Sequence, residues 1–318
     1  MKTMTEYHAP LFFRNGHRQS IYPTIFRKVK EVQYRRERVT TPDDDFLDLD
    51  WMSVDSDKLV IISHGLEGNS SRAYVKGMVK AVTKAGFDAL AWNFRGCSGT
   101  VNRQPKLYHS GFYEDLETVI EHVFKNFGYR EVNLVGFSMG GNVSLVYLGR
   151  QGLSIDPRIK KCITFSVPCD LKAGSEQIAK PGNQIYMKRF LRLLHEKIKA
   201  KKPAFPDLFD DRNYQLIKNF YDFDNRYTAP LHGFIDAHDY WQQCSSKKFI
   251  TTIRVPTLLI NALDDPFLSE SCYPFTECSN NPYLALETPK HGGHVGFITF
   301  NRDNSYWSEK RCVAFLKS

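Results

Sequence analysis

The segment VNLVGFSMGGNVSLVYL, Val132–Leu148, contains the most informative change of pattern in this chain. It opens with a short apolar run typical of a buried strand and closes with apolar residues at helical spacing. The glycines between the two parts weaken any continuous helix or strand, so they indicate a sharp turn. The segment therefore predicts a strand, a tight turn and a helix, with Ser138 at the turn.

The composition is that of a globular chain with a large core. The chain has 318 residues, of which 42% are hydrophobic and 14% aromatic. Its apolar runs are too short to cross a bilayer, and its start lacks the apolar core of a signal peptide. Seven cysteines without a CxxC pair favour reduced thiols over a disulfide framework. We therefore expect a cytoplasmic protein without a transmembrane segment.

The net charge is +8, and much of it lies in Arg27–Arg38 and His195–Lys202. Neither block carries a nucleic-acid-binding signature, so we expect no nucleic-acid partner. We interpret both blocks as solvated surface. Attraction to an anionic substrate, or peripheral contact with a membrane surface, is the alternative.

Strand and helix patterns alternate along most of the chain. Eight segments predict strands: Glu31–Thr40, Phe46–Met52, Lys58–Ser63, Phe87–Phe94, Glu131–Gly136, Lys161–Val167, Thr257–Asn261 and Tyr283–Glu287. Helical patterns outside the opening segment cover Ala73–Ala85, Phe112–Phe127 and Trp307–Leu316. This order predicts an α/β fold with a mostly parallel central sheet and helices on both faces.

The alternation stops at Pro168 and resumes near Ile253. The intervening region contains an amphipathic helix, whose apolar face carries Met187, Phe190, Leu191, Leu194 and Ile198. We predict a core formed by residues 1–169 and 251–318, with residues 170–250 inserted as a helical cap or lid. The alternative is a helix that merely packs on the core.

The turn around Ser138 has the sequence GFSMGG, which fits a nucleophile elbow. Such a turn holds the serine in a strained backbone conformation and lifts its hydroxyl above the sheet. Gly136 and Gly140 omit side chains that would collide at the bend, and Gly141 lets the helix pack closely. The alternative is a structural turn with an incidental serine.

A serine hydroxyl needs a base that takes its proton and an acid that orients the base. With this kind of turn the order along the chain is serine, acid, histidine. His291 and His294 lie in KHGGHVGF, a glycine-rich loop after the last predicted strand, and we favour His294 as the base. A metal pair is disfavoured because no further ligand cluster accompanies these histidines.

The acid should follow an earlier strand. The stretch VPTLLINALDDPF supplies Asp264 and Asp265 directly after the strand that begins at Thr257. We favour Asp265 as the acid and keep Asp264 and Asp170 as alternatives. Whichever aspartate does not face the histidine is expected to cap the turn.

A tetrahedral intermediate also needs donors for its oxyanion. We predict that the backbone N–H of Met139, the residue after the nucleophile, is one donor. The second donor is predicted to be the N–H of Leu66 in the loop SHGLEGNS. We expect His64 in that loop to have a structural role.

Seven motifs together resemble the YheT-like family of the α/β-hydrolases: SHGLEGNSSRAY, WNFRGCSG, YHSG followed by DL, GFSMGGN, TAPLHGFIDAHDYW, NALDDPF and HGGHVGF. The resemblance implies an α/β-hydrolase fold with Ser138, Asp265 and His294 as its triad. It also implies an enzyme that acts on esters, since eukaryotic relatives include lipid esterases, phospholipases and acyltransferases.

These observations lead to the hypothesis of a serine hydrolase that cleaves small-molecule or lipid carboxylic esters without a metal or organic cofactor. Acyl transfer to an alcohol and a non-catalytic binding protein are the alternatives. Ser138 disfavours the dehalogenases and epoxide hydrolases of this fold, which use an aspartate nucleophile. Cys97 is interpreted as a loop thiol, while Arg95, Tyr108 and His109 are expected to line the pocket or stabilise loops.

Overall fold

An eight-stranded sheet forms the centre of the computed structural model, which describes residues 6–318. Its strands are β1 (Arg35–Thr40), β2 (Phe46–Met52), β3 (Lys58–Ser63), β4 (Asp88–Asn93), β5 (Glu131–Phe137), β6 (Ile159–Phe165), β7 (Thr257–Ile260) and β8 (Leu284–Glu287). They lie in the order β1-β2-β4-β3-β5-β6-β7-β8. Strand β2 is antiparallel to both β1 and β4, and every other neighbouring pair is parallel. The predicted mostly parallel sheet is therefore confirmed.

Eleven α-helices lie within residues 6–318: α1 (Gly16–Phe26), α2 (Ala73–Lys84), α3 (Glu114–Asn126), α4 (Met139–Gln151), α5 (Leu171–Ala179), α6 (Gln184–Lys201), α7 (Phe220–Phe223), α8 (Ala229–His232), α9 (Ala237–Cys244), α10 (Phe275–Ser279) and α11 (Trp307–Lys317). A π-helix, Asp224–Thr228, joins α7 to α8. None of the helices in this part of the chain combines the length and apolarity needed to span a bilayer.

Apolar layers cover both faces of the sheet, as the sequence predicts. The layer beneath α3 and α4 contains Trp92, Leu116, Val119, Leu134 and Leu145. The layer beneath α2 and α11 contains Val75, Met78, Val79, Phe137 and Cys312. Burial on both faces explains why β3 and β5 read as nearly continuous apolar runs rather than alternating ones.

The parallel register brings the carboxyl ends of four strands to one edge of the sheet. Ser63 at the end of β3 pairs with Gly136 of β5, and Phe165 at the end of β6 pairs with Ile260 of β7. The loops that follow these strands therefore meet above the same edge. This is the edge at which open α/β sheets bind their ligands.

Helices α5 to α9 lie between β6 and β7 in the chain. The amphipathic pattern correctly predicts α6, which buries Met187, Leu191, Leu194 and Ile198 in an apolar cluster of their own. That cluster also takes in Leu107, which lies between β4 and α3. The division into a core and a cap remains a prediction.

Most predicted boundaries agree to within two residues; the start of β1 differs by more, and β6 is displaced at both ends. Strand β1 begins at Arg35 instead of Glu31, and β6 covers Ile159–Phe165 instead of 161–167. Strand β6 ends there because Ser166 has a left-handed φ of 56°, which no strand accommodates. Helix α1 was also not predicted, because its buried residues, Gly16, Gln19 and Pro23, form no apolar stripe at helical spacing.

Candidate active site

Ser138 lies at the junction of β5 and α4, on the predicted turn. Its φ of 52° and ψ of −119° place the backbone in a region that non-glycine residues rarely occupy. Its N–H still donates to the carbonyl of Phe165 at 2.8 Å, so the strand pairing continues to the serine. The strain is therefore confined to one residue held between two regular elements.

The glycines around the turn are required by close backbone contact. A Cβ on Gly136 would lie 2.5 Å from the Cα of Gly141, and one on Gly140 would lie 2.5 Å from the Ser63 carbonyl oxygen. A Cβ on Gly141 would lie 2.5 Å from a methyl group of Val167. At Gly136 and Gly140 the obstacles are backbone atoms, which cannot move aside as a side chain can. The predicted reason for these glycines is confirmed.

The structure brings Ser138, His294 and Asp265 together from three loops. His294 Nε2 lies 2.9 Å from Ser138 Oγ. The opposite ring nitrogen, Nδ1, lies 2.9 Å and 3.1 Å from the two carboxylate oxygens of Asp265. The Asp265 carboxylate is fully buried, and the His294 side chain is 12% exposed. The arrangement allows a proton to pass from the serine to a ring whose other side faces a negative charge.

The alternatives considered for the acid and the base lie elsewhere. Asp264 Oδ2 is 3.2 Å from His291 Nδ1, and its Oδ1 accepts the N–H of Gly293 at 2.8 Å. These two contacts tie the turn after β7 to the histidine loop. Asp170 caps α5 by accepting the N–H of Ala173 at 3.0 Å. Only Asp265, of the three candidate acids, contacts His294.

Helix α1, which the sequence analysis did not predict, supports the loop that carries His294. Ser20 Oγ accepts the backbone N–H of His294 at 2.8 Å and donates to the Gly16 carbonyl at 2.7 Å. The ring of Phe267 stacks on the His294 imidazole with 4.1 Å between centroids. The available signal was Asn15, whose side chain caps α1 by accepting the N–H of Arg18.

Leu66 and Met139 lie next to Ser138, because β3 and β5 are neighbouring strands. Within residues 6–318 neither backbone N–H donates a hydrogen bond to another group. Met139 begins α4, where free N–H groups favour negative charge. Both amides are therefore available to an oxyanion at the serine.

His64 holds the shape of its loop, as predicted. It is fully buried; Nδ1 lies 2.8 Å from the Gly65 carbonyl, and Nε2 accepts the N–H of Phe94 at 3.2 Å. Burial lowers the pKa of this imidazole to about 3, so the ring stays neutral. The Tyr74 hydroxyl accepts the Gly65 N–H at 2.9 Å and fixes the loop further.

An apolar cavity of about 130 Å³ opens from Ser138 beneath α5 to α9. Most of its lining is aliphatic or aromatic, and includes Leu107, Leu171, Ile178, Leu194, Phe220, Phe223, Leu231 and Trp241. We call it the apolar chamber. Asp224 also lines it, and burial raises the pKa of this carboxyl to about 7.

A second cavity of about 340 Å³, which we call the basic chamber, reaches Ser138 and His294 from the side of α1. Its lining includes Ser20, Ile25, Arg72, Ile185, Arg189 and Phe190. Phe190 and Phe267 line both chambers, so the two spaces meet at the serine. Sequence analysis did not identify Arg72 or Arg189.

Arg95 stabilises a loop and lines neither chamber. It is buried between Asp43 and Asp115, with 2.7 Å from its Nη2 to the Asp115 carboxylate. Tyr108 and His109, in contrast, line the apolar chamber. The pocket prediction thus holds for two of the three residues.

The Cys97 thiol is buried, and burial raises its pKa to about 11. It remains a loop thiol, 3.3 Å from Lys197 Nζ. Within the described part of the chain, no cluster of three or more His, Cys, Asp or Glu side chains could hold a metal ion.

Comparison with known proteins agrees with this architecture. Residues 58–300 match the family model described as alpha/beta hydrolase fold. The Escherichia coli (strain K12) protein named "Putative esterase YheT" is 34% identical over 90% of this chain and 85% of its own length. The phospholipase ABHD3 of Bos taurus is 31% identical over 84% of this chain and 67% of its own length.

Solved structures are similar in fold. The Pyrococcus furiosus esterase Pf2001 superposes with a TM-score of 0.59 and 19% identity, over 92% of this chain and 97% of that structure. The resemblance predicted from the sequence motifs is confirmed by the family match and the relatives above. This chain belongs to the α/β-hydrolase superfamily and, within it, to the YheT-like family.

Proposed function

We propose that this protein is a serine hydrolase of carboxylic esters with Ser138 as nucleophile. The observation that carries the proposal is the 2.9 Å contact between His294 Nε2 and Ser138 Oγ, with Asp265 at Nδ1 on the opposite edge of the ring. The names of its relatives, which include an esterase and a phospholipase, support the same reaction class.

In the proposed mechanism, Ser138 Oγ attacks the ester carbonyl as His294 Nε2 takes its proton. The N–H groups of Leu66 and Met139 donate to the oxyanion, and Asp265 stabilises the imidazolium. His294 then returns the proton to the departing alcohol, which leaves an acyl-enzyme on the serine. Water, deprotonated by the same imidazole, attacks the acyl-enzyme and releases the carboxylic acid.

The acyl group is proposed to occupy the apolar chamber. Its aliphatic and aromatic lining favours a hydrocarbon chain, and its size suits short to medium chains. Helices α5 to α9 would then act as the lid over that chain, because they supply most of the lining. A monoacylglycerol lipase of Saccharomyces cerevisiae, 31% identical over 89% of this chain and 63% of its own length, is consistent with a lipid-like substrate.

The proposal is tested with a fluorophosphonate probe and a series of p-nitrophenyl esters from acetate to palmitate. The wild-type protein should be labelled and Ser138→Ala should not. Ser144→Ala, a buried serine of α4 that donates to the Gly140 carbonyl, is the matched control and should remain labelled. Failure of the probe to label the wild type, together with absence of ester hydrolysis, would refute the proposal.

Peripheral contact with a lipid surface is part of the same proposal. Two exposed apolar side chains, Ile25 and Ile185, line the basic chamber. Their burial in an acyl–headgroup boundary would bring the mouth to a lipid substrate. Sedimentation with neutral phosphatidylcholine vesicles tests it: Ile25→Ser with Ile185→Ser should bind less than wild type, whereas equal binding would contradict it. The cytoplasmic location remains a prediction.

A further inference from the structure

The basic chamber carries two arginines that the proposed reaction does not use. Arg72 and Arg189 are both half-buried, and both line the cavity that contains Ser138 and His294. Within residues 6–318, neither forms a salt bridge with a carboxylate. Arg72 donates only to the backbone carbonyl of Glu67, at 2.9 Å. Two cations therefore face the same space beside the nucleophile.

Among residues 6–318, Glu67 is the one acidic residue in the lining of the basic chamber, and its charge is already paired. Glu67 accepts a hydrogen bond from the Tyr108 hydroxyl, and Lys197 Nζ lies 3.7 Å from its carboxylate. Its side chain is only 7% exposed. Within residues 6–318, no carboxylate therefore lies within ion-pairing distance of either arginine, and the charge of Glu67 affects Arg189 less than burial and the charges of Arg72 and Arg192 do.

The electrostatics of Arg189 agree with this description. Burial lowers the pKa of its guanidinium most, and the positive charges of Arg72 and Arg192 lower it further. Arg36 and Arg38, in contrast, each pair with an aspartate on β2, and their pKa values are raised. A positive field without an internal partner, held in a partly enclosed space, attracts an oxyanion.

We propose that Arg72 and Arg189 bind an anionic oxyacid group, a phosphate or a carboxylate, on the alcohol part of the ester substrate. The inference rests on the proposed function, which puts the acyl chain in the apolar chamber and the scissile carbonyl at Ser138. The alcohol then extends into the basic chamber, since the two spaces meet at the serine. The planar guanidinium donors suit both kinds of oxyanion.

The test compares three soluble esters with the same acyl chain: 1-butanoylglycerol, 1-butanoylglycerol 3-phosphate and 3-butanoylglyceric acid. We expect kcat/KM for at least one anionic ester to exceed that for the neutral ester by about tenfold at low ionic strength. The anionic ester with the larger value identifies the group. The preference should shrink as salt is added, because the arginines are partly exposed to solvent.

Variants assign the preference to the two residues. Arg72→Gln and Arg189→Gln should each lower the anionic-to-neutral ratio of kcat/KM by about fivefold, and the double variant should bring it close to one. Arg192→Gln is the matched control, since Arg192 lies on the same helix, α6, but lines neither chamber. The charge of Arg192 acts on Arg189 only through space, so its loss should lower the ratio by less than about twofold, and this small effect should disappear as salt is added.

The inference and the proposed function fail in different ways. If the wild type hydrolyses the three esters equally, or Arg192→Gln lowers the ratio as much as Arg189→Gln does, the anion site is refuted while the hydrolase remains. If no ester is hydrolysed, calorimetric titration of Ser138→Ala with the three esters still tests the site. Equal affinity for the neutral and anionic esters in that titration would overturn it.

Discussion

Replacing Asp265 by Asn tests which of the two neighbouring aspartates is the triad acid. It also tests how much the negative charge of that acid contributes to catalysis. Asn has nearly the same shape and keeps an oxygen that can accept the His294 Nδ1–H. It removes the negative charge, and its amide can also turn its NH₂ toward Nδ1 and select the wrong tautomer of the ring. The substitution therefore changes the electrostatics of the site with little change in packing.

The magnitude follows from the geometry. During attack the imidazole becomes an imidazolium, 2.9 Å from a fully buried carboxylate. For unit charges at that distance and an effective dielectric constant of about 20, Coulomb's law gives about 6 kcal/mol. That energy corresponds to about a 10⁴-fold loss of kcat/KM in Asp265→Asn.

The assay is hydrolysis of p-nitrophenyl butyrate, with Asp264→Asn as the matched control. Asp264 contacts His291 and the Gly293 amide but not His294. We expect the control to lose less than about tenfold, because only the support of the loop changes. Far-ultraviolet circular dichroism of both variants checks that the fold is retained.

Two outcomes would refute the reasoning. If Asp265→Asn keeps more than about a tenth of the wild-type kcat/KM, the buried charge contributes far less than Coulomb's law requires. If Asp264→Asn loses as much as Asp265→Asn, the triad acid has been assigned to the wrong aspartate.

Three further predictions concern stability and are measured by urea denaturation. Gly140→Ala should lower the free energy of unfolding by about 2–3 kcal/mol, because its Cβ would lie 2.5 Å from the Ser63 carbonyl oxygen; an unchanged midpoint would contradict this. Ser20→Ala should cost about 1–3 kcal/mol, because it strands the His294 N–H, and Ser20→Thr should restore most of that loss. Burial raises the Asp224 pKa to about 7, so its native carboxyl keeps a proton that the unfolded chain releases near its ordinary pKa of 3.8. Stability from this group is therefore lost as the pH rises toward about 7, and from about pH 5 to about pH 8 the wild type should lose about 2–3 kcal/mol relative to Asp224→Asn. Parallel pH profiles of the two proteins would refute this.

Local patterns were sufficient for much of the architecture. Strands β2 and β3 fall within the predicted residues, since period-2 and apolar runs report burial directly. The elbow at Ser138 was also predictable, because the glycines that permit it are adjacent to it in the chain. The α/β fold with a mostly parallel sheet follows from such short-range signals taken in order, and the α/β-hydrolase assignment follows from the resemblance of the motifs.

The partners of the serine could be reduced to a few candidates but not chosen by pattern. Asp264 and Asp265 are adjacent, and no pattern shows which carboxylate faces His294. In the folded chain Asp264 contacts His291 and the Gly293 amide, whereas Asp265 contacts His294. The sequence therefore supplied a pair of aspartates, and the packed loops selected one.

Other features depend on contacts between distant parts of the chain. Ser20 supports the His294 amide from a helix 274 residues away in the chain, and that helix has no apolar stripe that would predict it. Arg72 and Arg189 come from separate parts of the chain and share a chamber only once the sheet edge has formed. Short-range periodicity reports which face of an element is buried. Which side chains meet above the sheet depends on long-range packing, and that packing appears only in the folded chain.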